Sequence, residues 1–533
     1  VHLSRLLILS LLIGLITLLP IGVVMSYLIY PESAIWQHLW AYVLPEIISN
    51  TAILLLGTGV VSAALGIALA WLTACHEFPL RRFFNWALIL PLAMPAYVTA
   101  FVDIGLFDFT GPVQTFIRHH FGEGIWFPPI RSTPGVIMVM SLSLYPYVYL
   151  LCRNAFLSQG ARITEAGQLL GLTRNKAFWR LALPMARPWI VGGVIVVLME
   201  TLADFGTMSV FNFDTFTTAI YKSWFGLFSL SAAAQLASLL VIVVFGLLIA
   251  EQYFAGRKRY HTPLKNMSPR FTLHGRTKWL ALIFCSSILL FAFILPLLQL
   301  IYWSAQVFTQ DFDERYPQFI WHTVLLASVS AGLVVAAALC LALTARTYPN
   351  RWFKAWGRLA TLGYAVPGSV LAVGIFIPVA AADTYLINFF NAQFGWQGHS
   401  SFLRGTLFIM LLALMVRFMA PGFNSIETGL QRITKNQEDA AKGMGLFGWQ
   451  LLRRIHLPLL KTSLFSAALL VFVDTMKEMP ITLMTRPFGW DTLAVRVFEM
   501  TSEGQWDRAA LPALGIVLVG LLPVFLLSRH QEN

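Results

Sequence analysis

Long apolar runs separated by short polar stretches recur from one end of the chain to the other. Twelve stand out, at approximately residues 6–30, 51–74, 85–107, 135–152, 188–211, 231–251, 279–303, 323–345, 359–381, 405–424, 462–485 and 509–528. A helix of twenty-odd residues covers roughly 30 Å, the thickness of a bilayer's hydrocarbon core. Backbone that crosses lipid must satisfy its amides internally, and a helix does so within one segment. The pattern therefore predicts an all-α polytopic membrane protein with about 12 transmembrane helices.

The polar stretches alternate in charge. Arg417 and Lys477 fall within runs and are set aside. The N-terminus, every second connection and the C-terminus then hold 27 Lys and Arg, and the alternate connections hold 8. Basic loops stay in the cytoplasm, so both termini are expected there. Composition agrees: 57% of residues are hydrophobic and 12% charged, with a mean hydropathy of +0.70, against about 25% charged in soluble domains. The net charge of +12 belongs to these loops and does not call for nucleic acid. Cys75, Cys152, Cys285 and Cys340 share no short metal-like spacing and lie in or beside apolar runs, as buried thiols do. The first run is too long for a signal-peptide core and reads as a retained span.

The chain also repeats itself. Glu165-Ala166-Gly167, Gly171 and Leu181-Ala182-Leu183-Pro184 recur as Asp439-Ala440-Ala441, Gly445 and Ile455-His456-Leu457-Pro458, at a constant offset of 274 residues. Asn50-Thr51 parallels His322-Thr323, and residues 93–100 parallel 365–372, at an offset of 272. Glu200-Thr201 and Asp204 parallel Asp474-Thr475 and Glu478, again at 274. Six runs per half return the chain to its starting side. The halves, 1–250 and 279–533 with a basic linker over 251–278, are thus expected to be parallel six-helix repeats about an axis along the membrane normal, with substrate passing between them.

The repeated motif sits in two basic loops, about 162–187 and 436–461. In the first, the sequence predicts a helix over 162–170 that Gly171 interrupts. Thr173 then caps a second short helix through Trp179 or beyond, and Pro184 limits it. In the second, Gly445 breaks the chain and Gly448 loosens it further. The expected result is a helix–turn–helix knob; an ordinary amphipathic loop is the other reading. The spacing of acid-Ala-Ala, three residues, Gly, nine residues, then I-x-L-P resembles the coupling loop of ABC importer permeases. That resemblance covers the whole chain and implies a type I importer permease of MetI-like fold in the bacterial inner membrane. Its loops would dock two copies of an ATPase through Glu165, Ala166, Gly171, Leu183 and Pro184, and through Asp439, Ala440, Ala441, Gly445, Leu457 and Pro458. Asp439 stands where the family pattern has Glu, and Gly167 where it has the second Ala, so the halves are expected to grip unequally. No G-x-x-x-x-G-K-[ST] occurs. The chain is therefore expected to be a transport subunit and not an enzyme, with no catalytic residue or cofactor of its own, and with ATP and Mg held by the partner.

Ionisable groups inside spans are costly and point to function by default. Glu200 and Asp204 are spaced i, i+4 in the fifth run, and Asp474 and Glu478 match them in the eleventh, beside Lys477. Arg417 lies at similar depth in the tenth. Repeat symmetry would face the two acidic pairs across the axis, where carboxylates suit a hard cation. Alternatively Arg417 and Lys477 neutralise Asp474 and Glu478 as buried pairs. Asp204-Phe205-Gly206 resembles an element of anion-carrying permeases and favours gating or packing. Asp103, near the outer end of the third run, is expected to be solvated. His119-His120, with Arg118 and Arg131, reads as a hydrated loop or docking surface more readily than a metal relay, so no metal site is assigned.

Narrower features resemble the ferric-iron type of ABC permease with two fused halves. They are Pro95 to Phe101, Glu200 to Gly206, Val416-Arg417-Phe418, Asp474 to Pro480 and Asp491 to Ala494. The resemblance implies a periplasmic binding protein that delivers Fe(III). Thiamine, phosphonate and polyamine permeases remain alternatives, as does a twelve-span secondary transporter.

Overall fold

The computed structural model describes residues 2–29, 33–122, 124–169, 171–255, 270–313, 315–348, 350–394 and 401–532. Among them, nine helices are long and apolar enough to cross a membrane: Arg5–Ser26, Trp36–Cys75, Thr133–Ser158, Leu230–Phe254, Arg276–Asp311, Tyr316–Thr347, Gly368–Phe394, Trp449–Lys477 and Trp506–Phe525. Three further runs are bent pairs: Arg81–Ala93 with Ala96–Phe121 at 91°, Phe178–Met185 with Arg187–Ala203 at 64°, and Leu407–Arg417 with Met419–Arg432 at 50°. Counting each pair as one span gives the expected twelve.

The differences from the expected runs have local causes. In the third run, Met94 is extended and Pro95 precedes the new helix, so the helix cannot pass straight through. The second repeat does the same one half later. Its ninth span starts at Gly368, after a separate helix at Arg351–Ala360, a 3-10 turn at Leu362–Tyr364 and Pro367. The fifth run stops at Ala203 and resumes at Gly206, and the eleventh stops at Lys477 and resumes at Pro480. Glu200 and Asp204 therefore do not share a continuous helix, nor do Asp474 and Glu478.

The helices cluster into two compact units. One holds Val1–His38, Ala219–Val241 and Phe312–Arg496; the other holds Leu39–Thr218, Ile242–Asp311 and Val497–Asn533. Neither unit is a sequential half, because each takes helices from both. In the first unit the N-terminal helix lies against second-repeat helices. Trp356 Nε1 donates to Ser10 O at 3.1 Å, and Cys340 Sγ to Leu6 O at 3.8 Å. A buried cluster including Ile13, Leu341, Ala360, Met419, Phe423 and Leu460 forms its core.

In the second unit, close approach is made by small residues. A Cβ on Gly66 would meet Val148 and the Tyr149 amide, and one on Gly193 would lie 2.8 Å from Val148 Cα. Tyr145 and Tyr149 hydroxyls donate to Leu88 O at 2.9 Å and Asn85 O at 3.1 Å, satisfying carbonyls freed by the broken third span. All four cysteines are buried and unpaired in disulfides. Asp103 departs from expectation: it is only 6% exposed and lines an apolar cavity of about 500 Å³ with Phe107, Phe127, Met138 and Phe291.

Candidate functional site

The two repeated loops fold to the same turn. The helix Thr133–Leu169 carries the first motif, and Gly171 follows with φ +80°. Gly171 N donates to Gln168 O and Leu172 N to Gly167 O, both at 2.9 Å. In the second loop the helix Lys435–Gly443 precedes Gly445 at φ +84°. Gly445 N donates to Lys442 O at 2.9 Å and Leu446 N to Ala441 O at 3.0 Å. These are paired Schellman caps, which need a left-handed residue that glycine supplies without strain. Thr173 Oγ1 then accepts from Lys176 N at 3.5 Å, and the second helix of the first knob runs from Arg174 to Met185. Each knob's second helix also carries a π-turn, at Phe178–Ala182 and Leu452–His456, the same place at the 274 offset.

The sequence-predicted docking residues fall where a partner can reach most of them. Ala166, Gly171 and Pro184 are exposed and Leu183 half-buried; the Glu165 side chain lies outside the described residues. Asp439, Ala440, Gly445 and Pro458 are exposed, Leu457 half-buried and Ala441 buried. Asp439 holds Lys442 at 3.4 Å. Among the described residues, large exposed apolar side chains crown both knobs: Leu169 and Trp179 in the first, Met444, Phe447 and Trp449 in the second. Such patches mark interaction sites.

What fastens each knob was not legible as a motif. In the first, Trp71 meets Phe156 at 5.1 Å and Phe178 at 4.7 Å between ring centroids. In the second, Arg346 Nε donates to Glu438 Oε1, Nη1 to Leu430 O and Nη2 to Ile433 O, each at 2.6 Å. The same Glu438 oxygen accepts from His456 Nε2 at 2.8 Å. Burial works to raise the Glu438 carboxyl, but the hydrogen bonds from His456 and Arg346 outweigh it and leave the group below its ordinary value.

The intramembrane acids sit at matched breaks. Asp204 Oδ1 accepts from Thr207 N at 2.7 Å and Oδ2 from Thr207 Oγ1 at 3.0 Å. Glu478 accepts from Ile481 N at 3.0 Å and Thr482 N at 3.2 Å. Each acid thus caps the short helix after the break in its repeat. Arg417 Nη1 donates to Tyr364 O at 3.0 Å and to Val366 O, holding the turn before the ninth span. Glu200, Asp474 and Lys477 are half-buried. Among the described residues no group of three or more His, Cys, Asp or Glu side chains is placed to hold a metal ion. His119 and His120 lie on an exposed helix, Pro112–Phe121.

Two segments, 62–259 and 335–533, match the family described as binding-protein-dependent transport system inner membrane component. The chain belongs to this family, and it carries the domain twice. It is thus a multi-pass inner membrane permease, a transport subunit of the ABC importer class. It is 28% identical to the Fe(3+)-transport system permease protein FbpB 2 of Haemophilus influenzae over 91% of this chain and 90% of that one. It is 23% identical to the ferric transport system permease protein FbpB of Actinobacillus pleuropneumoniae, over 90% of this chain and 70% of that one. The putative 2-aminoethylphosphonate transport system permease protein PhnV of Salmonella typhimurium is 30% identical, over 39% of this chain and 74% of that protein.

Proposed function

We propose that this permease carries ferric iron, received from a periplasmic binding protein, into the cytoplasm. The observation that supports iron is likeness along nine tenths of both chains to a permease named for Fe(3+) transport; the phosphonate permease resembles only 39% of the chain. Two ATPase copies dock on the two knobs, which with both termini lie in the cytoplasm. ATP and Mg belong to that subunit, and hydrolysis happens there. The supporting feature is the pair of matched glycine turns with exposed apolar crowns. When the ATPase dimer closes, the knobs move with it, and the spans rock to change access. Halves 1–250 and 279–533 are the repeats that this movement works on. Glu200, Asp204, Arg417, Asp474, Lys477 and Glu478 stand along the path; the capping bonds of Asp204 and Glu478 favour a gating role for those two over direct cation contact.

The test is uptake of labelled Fe(III) against thiamine in cells lacking the chain, and, separately, copurification of a nucleotide-binding subunit with the chain from cells that hold it. Loss of iron uptake together with a copurifying ATPase is the expected result. A thiamine defect alone overturns the iron assignment. Uptake that persists without any ATPase but fails with a proton uncoupler overturns the ABC coupling in favour of a secondary transporter.

A further inference from the structure

The knobs and the caps at the broken spans leave one buried acid unused. Asp103 lies in the helix Ala96–Phe107, which follows the break in the third run, and it is 6% exposed. Among the described residues nothing gives its carboxyl a hydrogen bond or an opposite charge. Arg131, the basic residue of the adjoining loop, is engaged elsewhere. Its Nε lies 3.1 Å from Asp108 Oδ2, and its Nη1 donates to Val210 O at 3.4 Å. A carboxylate taken out of water without a partner is costly.

Asp103 instead lines the cavity of about 500 Å³, a size that takes a small organic molecule. Among the described residues it is the one ionisable group in the lining. The other polar side chain there, Ser132, spends its hydroxyl on Pro129 O at 2.7 Å. The rest of the wall is apolar. The rings of Phe107 and Phe127 lie nearly parallel, 10° apart with centroids at 6.4 Å, and aromatic faces attract cations. Met138 and Phe291 are exposed on the spans Thr133–Ser158 and Arg276–Asp311, so a guest can enter between them. A bare metal ion would find one carboxylate where it needs several oxygens. A phospholipid headgroup would bring a phosphate, and no Lys or Arg lines the cavity to receive it. An organic monocation brings the missing charge and an apolar body together.

We propose that this cavity binds an amphipathic organic amine as its ammonium ion, with Asp103 as counter-ion and the phenylalanine rings around the apolar body. The site is separate from the cargo path and does not depend on what the permease carries. Its walls come from the helix Ala96–Phe107, the span Arg276–Asp311 and the helix Thr133–Leu169, whose far end carries the first knob. A bound amine therefore wedges the broken third run against the helix that ends at the glycine turn, which makes the cavity a control point for small molecules.

The experiment follows thermal unfolding of the full-length permease in maltoside micelles at neutral pH, titrated with 3-phenylpropylamine or with its neutral analogue 3-phenylpropanol. The amine is expected to raise Tm, and the alcohol to do so more weakly. Asp103→Asn keeps the shape of the side chain and should weaken the apparent affinity for the amine by about tenfold while leaving the alcohol unchanged. Met138→Trp fills the entrance and should weaken both, which keeps the test open should Asp103→Asn fail to fold. Absence of stabilisation by the amine, equal stabilisation by the alcohol, or amine binding undiminished in either variant overturns the proposal. Stabilisation by added phosphatidylethanolamine that is lost in Asp103→Asn gives the site to a lipid and overturns it as well.

Discussion

The two knobs share a turn and differ in what holds it. The first is anchored by Trp71, Phe156 and Phe178. The repeat offsets carry those positions onto Leu343, Leu430 and Leu452, which lie in or against one buried apolar cluster. In exchange the second knob has the Arg346–Glu438–His456 clamp, whose counterparts in the first are Ala74, Thr164 and Ala182. Aromatic packing has preferred ring geometries but no titrating group; a buried charge network responds to pH and is screened only weakly by salt. The lesson is that the glycine turn fixes the shape presented to a partner, while anchoring chemistry is interchangeable behind it.

The largest expected effect strikes the shared part. A Cβ on Gly171 or Gly445 would meet nothing within 4 Å, yet both residues have φ above +75°. Gly171→Val and Gly445→Val therefore cost this chain only backbone strain, about 1–2 kcal/mol each, and membrane insertion should survive. Iron uptake should not, because the turn that shapes each knob is lost. Uptake beside an immunoblot of membrane levels checks this, and normal uptake in both variants removes the docking assignment. Loss in only one would show that the halves grip unequally.

Next comes the part that differs. Arg346→Met leaves the Glu438 carboxylate and the Leu430 and Ile433 carbonyls without their donor. Both charged side chains are mostly buried, so the local cost is about 2–4 kcal/mol. Hydrogen exchange should rise over residues 430–446 and stay unchanged over 156–172. An equal rise in both loops would mean the anchors are not independent.

Much of this architecture was legible in the sequence, and the misses share one cause. Apolar runs, the repeat offset and the glycine turns are local signals, so span number and knob positions could be read directly. Arg346 carries no motif that singles it out, because nothing local shows that it reaches across to Glu438. Asp204 and Glu478 read as residues on unbroken helices, because the caps that end those helices form only with the chain beyond. Asp103 read as solvated, because the walls around it come from distant segments such as Phe127 and Phe291. Gly167 read as a departure from the acid-Ala-Ala pattern, and the structure supplies its reason. An added Cβ would lie 2.9 Å from Ala177 Cβ and 3.0 Å from Leu181 Cδ1, where the knob's two helices cross. Gly167→Ala should therefore destabilise the first knob by about 1–2 kcal/mol despite the better helix propensity of alanine, a change that thermal unfolding measures. Stabilisation would show that the crossing has slack.

The smallest effect separates the anchors by pH. Glu438 holds its carboxyl below the ordinary value of 4.5 through His456 and Arg346, against the opposing effect of burial. A carboxyl with a depressed value in the folded state binds its proton more weakly there than when unfolded. Its stabilisation is complete above the unfolded value and is lost as pH falls through the folded one. Acidification from pH 6 to about 3.5 should thus loosen the second knob, seen as faster proteolysis near Gly445 by an acid-active protease. Glu438→Gln removes that pH-dependent component because the amide does not titrate in this range. The aromatic anchor of the first knob has no such group among Trp71, Phe156 and Phe178, so cleavage near Gly171 should not acquire pH dependence from its anchor. If cleavage near Gly445 responds to acid identically in wild type and Glu438→Gln, the charge network does not fasten that knob, and the contrast between the two loops reduces to packing alone.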